Sequence, residues 1–171
     1  MKYYIMKQDK RMQNRIRFQE FPTDESVEFD SSYISKMKRS VTLHGMDDCH
    51  TICGDVIESP CYMVSNDVYH VIQMFDSDTA FSNAVFQLQQ TDMKTYKVLL
   101  TDRIDVLHES TEYHKDKSIK KLVLDQKKIA EKQIFRIAGI SPNYVVVSMA
   151  IAEAIIRRGL EGILFEEVQV A

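Results

Sequence analysis

The sequence predicts an α+β protein with a mixed or antiparallel sheet and two main helices, each entered from a strand through a serine N-cap. Short apolar runs alternate with polar residues, as in half-buried strands, and two stretches with helical spacing follow Ser65 and Ser148. Only three prolines and five glycines occur, and no Ser/Gly/Pro-rich linker divides the chain. We therefore expect residues 1–171 to form a single domain.

The amino-terminal third has an uneven pattern. Residues 1–21 alternate between apolar and polar side chains, as at Tyr3 and Ile5 and again at Ile16, and predict two strands. Residues 23–58 mix Asp, Ser and Glu with scattered apolar side chains. We expect long loops there, with little regular structure.

The middle of the chain predicts the first helix. Ser65 occupies an N-cap position after a short apolar run. Apolar side chains then recur with the spacing of one helix face, at Val68, Val71, Ile72 and Phe75. Strand candidates follow at residues 84–88, 96–107 and 119–124.

The last third predicts a strand, a turn, a buried strand, a helix and a final strand, at residues 134–138, 139–143, 144–147, 149–158 and 163–165. Ser148 caps the helix and Gly159 ends it. The strand–serine–helix–strand order echoes the one around Ser65. Because serine-capped helices after strands are common, we favour coincidence over duplication.

Composition indicates a cytoplasmic protein without a membrane segment. The net charge is −3, whereas a protein that grips phosphates normally carries a basic excess, so we expect no direct nucleic-acid partner. Three cysteines, an odd number without a disulfide framework, fit a reducing compartment. The start of the chain lacks the apolar run of a signal peptide. The most apolar stretch, residues 145–156, is far shorter than the about 20 residues of a membrane-spanning helix.

Charge is unevenly distributed along the chain. Residues 20–78 carry 12 acidic and 3 basic side chains, whereas the remainder carries 13 acidic and 19 basic ones. Such an asymmetry creates a field that steers a basic partner. A solvated irregular surface that is acidic for no functional reason explains the pattern equally well.

One segment is rich in soft metal ligands, namely His44, Cys49, His50, Cys53 and Cys61. Cys49 and Cys53 have the spacing of half a zinc site, but no second close pair follows. We interpret these cysteines as small buried hydrophobic residues.

Other candidate chemistry is weaker. Asp76-Ser77-Asp78 begins like a calcium loop but has Phe81 where that loop needs glycine, so we interpret it as a polar helix exit. His108-Glu109-Ser110 and His114-x-Asp116 bring acid–base groups together without the features of a positioned base. We expect no catalytic residue, no metal and no cofactor.

Several pieces of the chain follow one another in the order and spacing of a known family. They are Gly54-Asp55-Val56-Ile57 before Tyr62-Met63-Val64-Ser65, Tyr96-Lys97-Val98-Leu99 before Ile104-Asp105-Val106-Leu107-His108-Glu109-Ser110, Leu122-Val123-Leu124-Asp125 before Ile134-Phe135-Arg136-Ile137, and Val146-Val147-Ser148 before Gly159-Leu160-Glu161-Gly162-Ile163-Leu164-Phe165. Through them residues 52–168 resemble the immunity proteins of bacterial polymorphic-toxin systems, the family numbered eleven, formerly a domain of unknown function. Residues 1–50 stay unassigned.

The resemblance implies a protein that binds a cognate toxin domain inside the producing cell and blocks it, with no catalytic residues of its own. An acidic surface would suit a nuclease toxin with a basic substrate cleft. On charge, and on no motif, the candidate toxin-binding residues are Asp24, Glu25, Glu28, Phe29, Asp30, Tyr33, Asp47 and Asp48. The oligomeric state is not predicted.

Two other functions remain open from the sequence. One is a zinc-stabilised module or an enzyme centred on Cys49, Cys53 and Cys61. The other is a structural domain with a self-association surface.

Overall fold

The structure, a computed structural model, describes residues 1–13, 15–18, 40–46, 51–59, 61–88 and 92–171. Its helices are α1 (Asn66–Phe75), α2 (Gln126–Ile129) and α3 (Met149–Arg157). Its strands are β1 (Tyr3–Gln8), β2 (Arg17–Phe18), β3 (Ser40–Met46), β4 (Val56–Ile57), β5 (Met63–Val64), β6 (Ala80–Leu88), β7 (Asp92–Leu100), β8 (Arg103–Ile104), β9 (Glu112–Tyr113), β10 (Ile119–Lys121), β11 (Val123–Leu124), β12 (Ile134–Ile137), β13 (Val145–Ser148) and β14 (Ile163–Val170).

Most strands belong to two mixed sheets. We name each sheet after its strand that lies between the strands before and after a helix, which is β1 in one sheet and β7 in the other. The β1 sheet has the order β11-β14-β1-β13-β12-β8, and the β7 sheet has the order β2-β3-β6-β7-β5-β4. Most pairings are antiparallel, whereas β11 with β14, β12 with β8, and β3 with β6 are parallel. Strands β9 and β10 form a separate hairpin. The predicted α+β class with mixed sheets is confirmed.

The two sheets share one arrangement of five strands and a helix. In the β7 sheet, β4 pairs with β5, α1 leads from β5 to β6, β7 inserts between β5 and β6, and β3 lies parallel to β6. In the β1 sheet, β12, β13, α3, β14, β1 and β11 occupy the same places with the same directions. The two sheets therefore resemble each other in five strands and a helix. From the sequence, we favour coincidence as the explanation of the two serine-capped helices alone.

Both predicted serine caps are present. Ser65 Oγ accepts the backbone N–H of Val68 at 3.3 Å, and Ser148 Oγ accepts that of Ile151 at 3.5 Å. Each bond satisfies an N–H group that the first helical turn leaves without an intrahelical partner. The predicted stripe on α1 ends early, because Phe75 is 39% exposed.

Each sheet sends alternate side chains to a shared core and to a core of its own. On β13, Val145 and Val147 face the shared core while Val146 faces away. On β7, Leu99 faces the shared core and Val98 faces away. Helices α1 and α3 contact each other and contribute to the shared core, whose buried members are Met6, Val56, Tyr62, Val64, Val68, Val71, Ile72, Leu99, Ile134, Val145, Val147, Ile151, Ala152 and Ile155. The strand period of two thus decides which core each side chain enters.

Four residues, Gly54, Asp55, Glu161 and Gly162, join the segments that lead into β4 and β14, and we call them the glycine joint. The Asp55 N–H donates to Glu161 O at 2.8 Å, and the Glu161 N–H donates to Asp55 Oδ2 at 2.7 Å. A Cβ added to Gly162 would lie 2.8 Å from Gly54 Cα. Only glycine allows two backbones to approach this closely.

Three expectations for the strands are wrong. Residues 119–124 are not one strand, because they form β10 and β11, which belong to different sheets. Residues 23–58 contain β3 and β4 in their described part, where we expect loops. Residues 96–107 are not one strand, because β7 ends at Leu100 and pairing resumes as β8 and then as an isolated bridge between Leu107 and Leu124. None of the helices in the described part has the length and apolar character needed to cross a membrane.

Candidate functional site

A cleft opens between the two sheets, where α1 and β7 end and β12 begins. Its volume is about 120 Å³. The lining residues are Asp76, Asp78, Thr79, Ala80, Leu100, Thr101, Asp102, Lys132, Ile134 and Phe135. The cleft is therefore built jointly by both sheets.

The first wall is the turn from α1 to β6. Asp76 ends α1, and its Oδ1 accepts the backbone N–H of Thr79 at 3.1 Å. Gln73 Nε2, from the last turn of α1, donates to Thr79 O at 3.0 Å. Asp76 is thus held by its turn, whereas Asp78 is an exposed side chain at the cleft edge.

The second wall is the segment after β7. Thr101 is only 5% exposed, and its Oγ1 has no hydrogen-bond partner among the described residues. Buried hydroxyl groups are usually hydrogen-bonded, so this atom is an exception. The neighbouring Asp102 is exposed, and its carbonyl accepts the backbone N–H of Arg136 at 3.0 Å, which ties this wall to β12.

The third wall is the start of β12. The carbonyl of Lys132 accepts the Tyr3 hydroxyl at 3.1 Å, and the Lys132 side chain is exposed. Ile134 and Phe135 are buried and supply apolar surface. Hydrogen bonds therefore hold all three walls in place.

The cleft has an acidic balance. Three aspartates and one lysine line it. The carboxyl end of a helix adds a partial negative charge, and α1 ends here with no basic residue in its own last turn, all of which is described. The corresponding helix α3 carries Arg157 in its last turn, and Arg158 Nη1 donates to Ala154 O at 3.1 Å. Arg158 Nη2 donates to Met74 Sδ at 3.4 Å, so this guanidinium from the end of α3 also lies against the last turn of α1.

This geometry suits a small cationic group. Sites that enclose whole small molecules measure about 300–1,000 Å³, well above the volume of this cleft. In the part of the chain that the structure describes, no three His, Cys, Asp or Glu side chains are placed to hold a metal ion. The cleft therefore fits a short charged group better than a substrate or a metal.

The comparisons with known proteins found no family. No protein-family model matches the chain. No curated protein matches it significantly either. The resemblance to the toxin-immunity family thus stays a prediction from the sequence.

The predicted toxin-binding residues are outside the described part of the chain. This applies to Asp24, Glu25, Glu28, Phe29, Asp30, Tyr33, Asp47 and Asp48. The sequence indicates Asp76 and Asp78 as part of a polar helix exit. It does not indicate Thr101 or Asp102, because only the packing of the two sheets brings these residues to the cleft.

The candidate cysteine site is only partly described, since Cys49 and His50 are outside the described residues. Cys53 is half-buried and Cys61 is 3% exposed. Burial raises the pKa of the Cys61 thiol to about 12, although the nearby Arg136 acts to lower this pKa. Because the thiolate is both the zinc ligand and the nucleophile, Cys61 is poorly suited to either role.

The other acid–base groups make local turn contacts. His108 Nδ1 accepts the backbone N–H of Ser110 at 3.2 Å and lies 2.7 Å from Ser110 Oγ. Asp116 Oδ1 accepts both the backbone N–H and the hydroxyl of Ser118, which lowers the pKa of the carboxyl group. None of these residues lines the cleft.

Proposed function

We propose that this protein is a bacterial immunity protein that binds and neutralises a cognate toxin domain in the cytoplasm of the producing cell. It acts by occupancy, with no chemistry of its own. The observation that carries the proposal is the acidic cleft, because it offers a small negative socket on a surface built by both sheets. Such a feature favours a basic macromolecular partner over an enclosed substrate.

The rigidity of the cleft supports binding by occupancy. Asp76, Thr79 and Asp102 take part in hydrogen bonds that fix the backbone around the opening. A surface that is ordered before binding loses less conformational entropy in a complex. Tight inhibition of a toxin needs such a preorganised face more than it needs a reactive group.

The arrangement of the family-like pieces also supports the proposal. The piece that begins at Gly54 and the piece that ends α3 meet at the glycine joint through Asp55 and Glu161. The two serine-containing pieces begin α1 and α3, at Ser65 and Ser148. These pieces of the sequence thus contact one another or occupy corresponding places in the two sheets.

The candidate partner is the toxin domain encoded by the adjacent upstream reading frame. The chain and that domain are produced together and separately in a host that the toxin inhibits. We expect growth to be restored only when both are present, and a stable complex on size-exclusion chromatography. An unrelated toxin domain of similar charge is the control. Growth inhibition unchanged by this chain, with no complex formed, would refute the proposal.

The predicted toxin-binding residues are tested in the same assay. Replacing Asp24, Glu25, Glu28, Asp30, Asp47 and Asp48 by lysine should slow association with the toxin, most strongly at low salt. The aromatic candidates Phe29 and Tyr33 are replaced by alanine, which should speed dissociation. Association and dissociation rates unchanged at two salt concentrations would remove these residues from the interface.

The alternative function, a zinc-stabilised module or an enzyme at the cysteines, gains no support from the raised pKa of the Cys61 thiol. Metal analysis of protein purified without chelators tests it directly. One equivalent of zinc that is lost in a Cys53→Ser variant would favour the alternative over the proposed function.

A further inference from the structure

We propose that the adjacent ends of α1 and α3 form a self-complementary surface through which two copies of this chain associate as a weak two-fold dimer. The inference goes beyond the proposed function, because it concerns the chain alone and needs no toxin. It rests on apolar side chains that the two helix ends leave exposed and on charges of opposite sign beside them.

The last turns of α1 and α3 expose three large apolar side chains. At the end of α1, Met74 is 65% exposed and Phe75 is 39% exposed, and in the last turn of α3, Ile156 is 61% exposed. The two helices contact each other, and the Arg158 guanidinium at the end of α3 lies against Met74. These side chains therefore form one surface, which we call the helix-end patch. Single exposed apolar side chains are normal, whereas a group of them marks an interaction surface.

The fold itself does not need the apolar side chains of the patch. The inner faces of both helices are already packed, with Val71 and Ile72 of α1 and Ile155 of α3 fully buried in the shared core. Ile156 follows Ile155 but lies about 100° further around the helix, on the side that faces solvent. A polar side chain at Ile156 would leave this core intact, so its apolar character indicates a surface that is covered in an assembly.

Charges of opposite sign border the patch on its two sides. Asp76 and Asp78 follow the end of α1. Arg157 and Arg158 end α3. In the described part of the chain, no ion pair joins either arginine to either aspartate, and Arg157 bridges to Glu153 within α3. That bridge is exposed on both sides and holds Arg157 only weakly. Both signs of charge are therefore open to a partner.

An apolar patch with both signs of charge fits a second copy of the same chain. In a two-fold dimer the same surface of each copy is used, so residue i of one copy contacts residue j of the other and the reverse. The acidic end of α1 then faces the basic end of α3 in the other copy, twice, around a common apolar centre. A partner with a single sign of charge would instead meet like charges on one side of the patch.

The composition of the patch agrees with an interface, and its size implies a low affinity. Methionine, aromatic residues and arginine are enriched in protein interfaces relative to the rest of the surface. Stable interfaces bury about 800 Å² on each partner, which is more than three apolar side chains and a charged border provide. We therefore expect a transient dimer, with a dissociation constant between about 1 µM and 1 mM.

Analytical ultracentrifugation of the whole purified chain, from about 10 µM to 1 mM, tests the proposal. We expect the average mass to rise from one chain towards two over this range. Ile156→Glu places a charge at the centre of the patch and should keep the chain monomeric throughout. Met93→Glu is the matched control and should dimerise as the natural chain does, because Met93 is 65% exposed but lies on β7, outside both helices. Circular dichroism checks that both variants keep the native secondary structure.

Charge reversal tests how the two copies pair. Arg157→Glu and Asp78→Arg should each weaken dimerisation by about tenfold, because two-fold symmetry repeats the exposed pair and reversal turns attraction into repulsion. A mixture of these two variants should associate as the natural chain does, since both contacts between unlike copies then join opposite charges. Glu109→Arg changes the net charge as Asp78→Arg does, at an exposed residue outside the patch, and should dimerise normally.

Several results would overturn the proposal. They are a natural chain that stays monomeric up to about 1 mM, a folded Ile156→Glu variant that still dimerises, and charge variants that stay apart when they are mixed. None of these results affects the proposed function, because a monomer can bind a toxin domain equally well. Conversely, a chain that dimerises as expected but gives no protection against the toxin would refute the proposed function alone.

Discussion

Replacing Gly162 by alanine tests whether the close approach at the glycine joint holds the structure together. The added Cβ would lie 2.8 Å from Gly54 Cα, so the backbone of one segment must move. Gly162 also has a φ of +74°, a conformation that costs an alanine about 1–2 kcal/mol. Overpacking of a well-packed site adds about 1–3 kcal/mol. The free energy of unfolding should therefore fall by about 2–5 kcal/mol, the sum of these two effects.

The matched control is Gly159→Ala. Gly159 has a φ of +66°, similar to that of Gly162, but no described atom lies within 4 Å of the Cβ it would gain. Only the conformational cost applies, so the free energy of unfolding should fall by about 1–2 kcal/mol. Both substitutions reduce the freedom of the unfolded chain in the same way, and the difference between them isolates the steric contact.

Urea unfolding followed by circular dichroism measures both variants. The free energy of unfolding should decrease with urea concentration at the same slope in both variants, because the surface exposed on unfolding is unchanged. Each kcal/mol should lower the melting temperature by about 2–4 °C in a protein of this size. A Gly162→Ala variant as stable as Gly159→Ala would refute the steric role of the joint. Gly54→Ala, whose Cβ would lie 3.2 Å from Gly162 Cα and whose φ is not positive, has a milder contact and no conformational cost, so it should lower the free energy of unfolding less than Gly162→Ala does.

Three further predictions concern the caps, a buried hydroxyl and a buried thiol. Ser65→Ala should lose about 0.5–2 kcal/mol of stability whereas Ser65→Asp keeps the cap, and thermal unfolding distinguishes them. Tyr62→Phe removes the hydrogen bond from the Tyr62 hydroxyl to Met6 O at 2.7 Å and should lower the free energy of unfolding by about 1 kcal/mol. Urea unfolding at the same free energy as the natural chain would contradict this role of the hydroxyl. Between about pH 9 and pH 12 the unfolded chain releases the Cys61 proton while the native chain keeps it, so this thiol lowers stability as pH rises, by up to about 1.4 kcal/mol per pH unit. Urea titrations at pH 8 and pH 10 should show a shallower loss for Cys61→Ala, and an identical loss would contradict the burial of the thiol.

Local signals explain what the sequence predicts well. Ser65 and Ser148 act within one helical turn, and both helices begin where those residues place them. Gly159 ends α3 with a positive φ, as its position after the helix predicts. The strand of residues 40–46 is missed although Val41 and Leu43 alternate with polar neighbours, since the acidic and polar residues around it favour a loop.

Non-local packing explains what the sequence does not predict. Nothing in the residues around Tyr3 indicates that β1 inserts between β13 and β14. The cleft depends on the same kind of information, because Asp76, Thr101 and Lys132 belong to three separate segments. Only the packing of the two sheets makes these residues neighbours, and no periodic pattern in the sequence predicts that packing.

The place of β1 has a consequence for how the chain is made. Tyr3 pairs with Val168 on one side and Ser148 on the other, so β1 finds both of its neighbours among residues that come much later in the chain. The β1 sheet cannot close until β14 has been synthesised, and contacts over such long sequence distances make folding slow. In the β7 sheet, strands β4 to β7 follow one another along the chain, so these strands can pair before the β1 sheet is complete. Synthesis from one end to the other therefore imposes an order on the two sheets that their matching architecture alone would not.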